Sequence, residues 1–181
     1  MTVRQGTLSG LFIIEHDTHN DERGFFRETM RVDELEAALG EQPHFVQVDH
    51  SHSKKGVLRG LHAENWDKLI YVPHGEVFQA VADIRPESPT FRQVETFQMG
   101  ETNRCMLFIP RRMGNGFYVL SDEADYVYQV SAYYDGTDQL AVAWDDPDLA
   151  VPWPISNPIL SPKDQSNPTL RQLFPEHFHA S

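Results

Sequence analysis

Arg59 and His62 stand in the segment Gly56-Val57-Leu58-Arg59-Gly60-Leu61-His62, which joins a permanent cation to an imidazole base. That combination suits proton transfer on an anionic substrate. The segment reads as a strand, and strict two-residue alternation sends Arg59 and His62 to opposite faces. Both can line one cavity only if the pleat is interrupted, and Gly60 is the natural place for a bulge or kink. Taken alone, an ordinary half-buried histidine beside a solvated arginine is the commoner meaning of such a segment. Tyr126-Val127-Tyr128-Gln129-Val130 alternates, presenting Tyr126 and Tyr128 on one face. A phenol there can stack on a ligand, satisfy a hydrogen bond or donate a proton, although core packing is its commonest use. The stretch Ile159-Leu160-Ser161-Pro162-Lys163-Asp164 adds a lysine and a carboxylate, and by itself it reads as a surface turn.

Histidines in a β-barrel raise the question of a metal, since such barrels commonly hold one with His-x-His, a nearby Glu and a later His. Here the residue two beyond His62 is Glu64, and the Gly114-Asn115-Gly116-Phe117 turn carries Asn115 where the later ligand would stand. Three protein ligands are the usual minimum for a catalytic zinc, and the sequence does not assemble them. His50 with His52, and His177 with His179, form isolated pairs that read as solvated. The expectation is therefore no metal.

The elements that must position these residues are short apolar or alternating runs separated by Gly, Pro, Asn and Asp, the texture of an all-β sandwich or barrel. They are Leu11 to Ile14, Gly24 to Met30, Val46 to Val48, Val57 to His62, Leu69 to Val72, Val77 to Asp83, Val94 to Phe97, Met106 to Pro110, Phe117 to Leu120 and Tyr126 to Ser131. The run from Gly75 to Arg85 has no breaker before Pro86 and reads as a central strand. Val32 to Leu39 is the one convincing helix, with Val32, Leu35 and Leu39 on one face and Gly40 placed to end it. After Trp144 prolines punctuate the chain too often for regular strands. The expectation is a single domain over 1–181 whose proline-rich segment from about residue 145 wraps the barrel.

The chain of 181 residues carries Lys+Arg 15 against Asp+Glu 27, a formal net charge of -12. Nucleic acid and anionic membrane are poor partners for such a surface. An anionic ligand would have to meet a few focused cations instead. Cys105 precedes the apolar run Met106-Leu107-Phe108-Ile109 and reads as a buried thiol in a reducing compartment. No window has the roughly 20 apolar residues of a membrane span, and no signal segment is evident. A soluble cytoplasmic protein is expected.

As a set, several motifs resemble one known family. They are Asp21-Glu22-Arg23-Gly24-Phe25-Phe26-Arg27-Glu28, Val57 to His62, Gly75-Glu76-Val77-Phe78 leading to Asp83-Ile84-Arg85, Ser88-Pro89-Thr90-Phe91, Trp144 to Leu149, Trp153-Pro154 and Leu160 to Asp164. Together they resemble the dTDP-4-dehydrorhamnose 3,5-epimerase family from about Gly10 to about Asp164. The resemblance implies a cupin-like jelly-roll β-barrel with one or a few short helices. It also implies a homodimer in which the N-terminal region helps complete the neighbour's site, and epimerisation of a nucleotide-diphosphate sugar with no metal and no cofactor.

Carried over residue by residue, the resemblance makes His62 the general base, Asp164 the carboxylate that orients it, Tyr128 the acid on the opposite sugar face and Lys68 the cation at the enolate. Arg23, Phe26 and Glu28 of the first motif, with Gln47, Arg59 and Lys163, fall on substrate-contacting positions, and Tyr134 falls near the base. The chain departs from the family at three further substrate-contacting positions. A histidine becomes Asn115, an asparagine becomes Asp49 and a glutamate becomes Gln139; the stretch between His62 and Lys68 is also shorter. These departures keep three alternatives open: a single-centre epimerase acting on a GDP-linked or other nucleotide-linked 4-keto sugar, a non-catalytic sugar-nucleotide-binding barrel, and a metal-dependent barrel enzyme.

Overall fold

In a computed structural model, which describes residues 1–178, the short apolar runs become antiparallel strands. His179 lies outside the described residues. In chain order the elements are β1 (Thr2–Gln5), β2 (Phe12–Glu15), β3 (His19–Asp21), β4 (Gly24–Phe26), α1 (Val32–Leu39), β5 (Gln47–Lys54), β6 (Leu58–His62) and β7 (Lys68–His74). They continue with β8 (Glu76–Asp83), β9 (Val94–Gly100), β10 (Met106–Ile109), β11 (Met113–Val119), β12 (Glu123–Val130) and α2 (Leu170–Leu173). One sheet runs β1-β2-β10-β7-β12-β5, a second runs β6-β11-β8-β9, and β3 with β4 forms a separate hairpin.

The two large sheets form a cupin-like jelly roll, with alternate residues of each facing the other. Ile13, Ile70, Leu107 and Tyr126 from the first sheet meet Val77, Val81, Met113 and Phe117 from the second in one buried cluster. Each such aliphatic side chain contributes about 1.5–3 kcal/mol by leaving water. The opposite parity of β8, Ala80 and Ala82, packs outward against Val142, Leu149 and Leu170 of the C-terminal segment. β8 is therefore covered on both faces, and its sequence accordingly reads as one nearly unbroken apolar run. The helix expected over Val32–Leu39 forms with those bounds and ends on Gly40 in the left-handed region at φ 78°. Its Leu35 packs against Ile14, Leu69 and Met106 on the outside of the six-stranded sheet.

Two expectations are corrected. The Gly114-Asn115-Gly116-Phe117 segment is not a turn but the body of β11, paired on both edges with β6 and β8. The run from Gly24 to Met30 is a strand only through Phe26, because β3 supplies partners no further than His19.

Candidate active site

The site begins with two glycines. Asn115 pairs with His62 and Phe117 with Arg59, so Gly60 and Leu61 on β6 face Gly116 alone on β11. This is the bulge the sequence demands. Gly60 sits at φ 135°, and a Cβ there would lie 2.5 Å from the Gly116 Cα and 2.8 Å from the Asn115 carbonyl oxygen. On Gly116 a Cβ would meet the Leu61 side chain at 2.9 Å. The extra residue resets the pleat: Leu61 packs in the outer cluster, while Arg59 and His62 both line one cavity of about 560 Å3.

The C-terminal segment brings the carboxylate. Ile159 bridges to Val57, the Leu58 N–H donates to the Ile159 carbonyl at 3.0 Å, and Val142 exchanges backbone hydrogen bonds with Leu61. Held in this way, Asp164 Oδ1 lies 2.7 Å from His62 Nε2. Asp164 is 4% exposed. Burial alone would raise its carboxyl, but hydrogen bonds from His62, Ser161 and the Gly60 N–H outweigh it and hold the group below the usual aspartate value. A carboxylate at Nε2 keeps the imidazole proton on that nitrogen and leaves the Nδ1 lone pair free to take another.

Tyr128 approaches from β12 in the opposite sheet and lines the same cavity. Burial pushes its phenol up, the carboxylates of Asp49 and Glu64 push the same way and Arg59 opposes them, so the hydroxyl stays protonated at neutral pH. Lys68, at the start of β7, is buried and donates to Glu64 Oε2 at 2.6 Å and to the His62 carbonyl at 3.1 Å. Burial would raise the Glu64 carboxyl, yet the Lys68 charge and hydrogen bond hold it down.

Toward the cavity mouth, Gln47 donates to both oxygens of Asp49 at 2.9 and 2.7 Å and accepts from the Tyr134 N–H at 3.0 Å. Arg59 Nε donates to the Ser53 hydroxyl at 3.0 Å. Arg59 and the exposed Lys163 are the cations of the rim, while Asn115 lies deeper beside Phe117 and Tyr126.

Thus His62, Lys68, Tyr128, Asp164, Gln47, Asp49, Arg59, Asn115, Tyr134 and Lys163 are brought together. Arg23, Phe26, Glu28 and Gln139 are not among the lining residues. Arg23 and Phe26 sit on the β3–β4 hairpin with the Arg23 side chain 85% exposed and ion-paired to Asp21, and Gln139 donates to the Gly136 carbonyl. Sequence reasoning missed Glu64 and Gln79 as parts of the site. A glutamine among the apolar residues of β8 was the available signal for Gln79; for Glu64 the spacing to Lys68 means little outside a helix. Among the described residues no group of three His, Cys, Asp or Glu is disposed to hold a metal, and no helix is long and apolar enough to cross a membrane.

A cupin-like barrel holding an imidazole–carboxylate couple on one wall and a half-buried phenol on the other has the groups that acid–base chemistry on a small molecule requires. The model of the dTDP-4-dehydrorhamnose 3,5-epimerase family matches residues 5–172. The dTDP-4-dehydrorhamnose 3,5-epimerase of Shigella flexneri is 39% identical over 168 residues, which span 91% of this chain and 93% of that protein. The dTDP-6-deoxy-D-glucose-3,5-epimerase of Legionella pneumophila, solved with dTDP-4-keto-L-rhamnose, superposes with TM-score 0.90 at 38% identity over 99% of each chain. A 4-keto-6-deoxy sugar epimerase from the novobiocin gene cluster of Streptomyces spheroides superposes with TM-score 0.94 at 32% identity, covering 97% of this chain and 90% of its own. The chain belongs to the dTDP-4-dehydrorhamnose 3,5-epimerase family and is an isomerase of the epimerase type.

Proposed function

We propose that the protein inverts C3, C5 or both in a nucleotide-diphosphate-linked 4-keto-6-deoxy sugar; inversion at both centres converts dTDP-4-dehydro-6-deoxy-D-glucose to dTDP-4-dehydro-L-rhamnose. The observation that carries this reading is His62, held by Asp164 at 2.7 Å on one sheet, facing the cavity that Tyr128 enters from the other. The ketone acidifies the neighbouring C–H bonds. His62 Nδ1 takes a proton from one of these carbons, the C–H electrons move into the ring bond, and the carbonyl oxygen becomes an enolate oxygen. Lys68 and the Asn115 amide stabilise that oxygen. Tyr128 then gives its proton to the same carbon from the opposite face as the enolate electrons return to form the new C–H bond and the ketone; solvent restores the phenol and takes the proton from His62.

No external cofactor enters the balance, since the proton lost and the proton gained leave the sugar isomeric. Arg59 and Lys163 meet the diphosphate at the rim, with Gln47, Asp49 and Tyr134 toward the base. The reading places the enzyme in the cytoplasm, where the free buried thiol of Cys105 remains reduced.

Arg23, Phe26 and Glu28 enter this reading through a homodimer. β3 and β4 are exposed along their whole length, and the Phe25 and Phe26 side chains stand 51% and 69% exposed. An isolated two-stranded hairpin with open aromatics is marginal in water. We infer that it packs on a second copy, bringing Arg23 and its neighbours to that copy's diphosphate; a monomeric mass in sedimentation would contradict this. The catalytic reading is tested by NMR identification of the product formed from dTDP-4-dehydro-6-deoxy-D-glucose. Recovery of unchanged substrate, with GDP-, CDP- and UDP-linked analogues equally inert, would exclude it in favour of a binding barrel.

A further inference from the structure

At the floor of the cavity lies a hydrogen-bonded trio of which the acid–base steps use only the Asn115 amide and leave Gln79 and Tyr126 without a role. Gln79, fully buried on β8, donates through Nε2 to the Ala80 carbonyl at 3.0 Å and to Asn115 Oδ1 at 2.7 Å. Its Oε1 accepts from the Tyr126 hydroxyl at 3.0 Å. A backbone carbonyl can only accept, so the Ala80 contact fixes which end of the Gln79 amide is nitrogen, and both its hydrogens are used. Asn115 must therefore turn its oxygen toward Gln79. The Tyr126 hydroxyl stands 3.2 Å from that same oxygen. Asn115 Nδ2 has no hydrogen-bond partner among the described residues, and the residue lines the cavity beside His62, with which it is paired across β6 and β11.

The trio is rigid and does not titrate near neutral pH. Tyr126 is 1% exposed and stacks on Phe117 with ring centroids 4.1 Å apart. Burial drives its phenol well above the ordinary range, so it remains a donor. The titratable and charged groups that share the cavity are Asp49 on β5, Arg59 and His62 on β6, Lys68 at the start of β7, Tyr128 on β12, and Glu64, Lys163 and Asp164 on the connecting segments. Lys68 already spends hydrogen bonds on Glu64 and the His62 carbonyl. The amide is thus the uncommitted neutral donor in the floor.

We propose that Gln79 is a positioning residue that locks Asn115 with its Nδ2 hydrogens toward the cavity, making this amide a fixed, uncharged donor to the substrate's carbonyl oxygen as it becomes an enolate. An amide cannot serve as a base, so His62 keeps the proton-accepting role in this reading. The inference rests on the epimerase reading.

The test compares Gln79→Glu and Gln79→Met with the native enzyme, each normalised to folded sites by dTDP titration. Solvent deuterium wash-in gives kcat and KM separately. Once ionised, a carboxyl at position 79 cannot donate to Asn115 Oδ1; it turns the amide over and puts the carbonyl toward the enolate, and because burial raises such a carboxyl the defect develops above the ordinary glutamate range. Loss of one preorganised oxyanion donor lowers kcat on the order of 100-fold with KM little changed. In Gln79→Glu the defect shrinks as pH falls, because the introduced carboxyl regains a hydrogen to donate once protonated; in Gln79→Met it does not. A structural role alone would lower the folded fraction without this pH rescue. Native exchange accompanied by unchanged kcat in both variants, or equal defects at every pH, would overturn the inference. Absence of exchange in the native enzyme itself would instead overturn the epimerase reading on which it rests.

Discussion

Replacing Asp164 with asparagine probes the couple on which the chemistry depends. The carboxylate is 4% exposed, lies 2.7 Å from His62 Nε2 and touches the Gly60 backbone and Ser161. The amide is nearly isosteric, so the bulge and the docked C-terminal segment should survive. A hydrogen bond to a charged group contributes about 1.5–3 kcal/mol, and it strengthens when His62 takes its proton. Losing that gain costs roughly 10- to 150-fold in rate at 1.4 kcal/mol per decade.

A second penalty follows from geometry. The introduced amide can present its N–H to Nε2, which drives the imidazole proton to Nδ1 and removes the lone pair that abstracts the sugar proton. The expected result is a fall in deuterium wash-in of at least about 100-fold with KM unchanged, because Asp164 acts through His62. The native carboxyl is held below its ordinary range and so stays ionised at neutral pH, where the two rates are compared. Exchange within about threefold of the native rate would refute the couple as the working base, since it lies below what one charged hydrogen bond supplies.

Tyr128→Phe should leave wash-in at the carbon facing His62 while product with inverted stereochemistry falls on the order of 100-fold, as expected for loss of a general acid; chiral product analysis separates the two. Gly60→Ala must accommodate a Cβ 2.5 Å from the Gly116 Cα at φ 135°. It should lower stability by about 2–4 kcal/mol in urea unfolding, and an unchanged midpoint would mean that the bulge does not need glycine. Asp83 is fully buried; burial raises its carboxyl, but Arg85, Ser88 and Thr90 outweigh it, so the folded value is depressed. Its contribution is present above the unfolded value near 4 and is lost as pH falls through the folded one. Asp83→Asn should thus cost about 3 kcal/mol at pH 7 and progressively less below about pH 4, read from urea midpoints.

What could be read from the sequence was whatever a local pattern dictates. The helix over Val32–Leu39 follows from its apolar face and Gly40, and the need for a bend at Gly60 follows from two polar residues at clashing parity on one strand. The partner of His62 could not be found by spacing, because Asp164 is 102 residues away and reaches it through backbone pairing of an irregular segment with β6; only the family resemblance pointed there. Gly114 and Gly116 read as a turn because glycine usually marks one, whereas at Gly116 the missing side chain serves the close approach of β6 to β11. Gln79 was hidden by the strength of the apolar run around it. Glu64 entered the reading only as a failed metal ligand, although its partner is Lys68. The hairpin carrying Arg23 and Phe26 stands apart from the cavity of its own chain.

The most direct test of the central claim is deuterium incorporation into dTDP-4-dehydro-6-deoxy-D-glucose in heavy water, followed by NMR with the native protein and with His62→Ala. The account predicts wash-in at C3, C5 or both with the native protein, and loss of it by at least about a thousandfold once the base is removed. Exchange that persists undiminished in His62→Ala, or that is absent from the native protein, would contradict it.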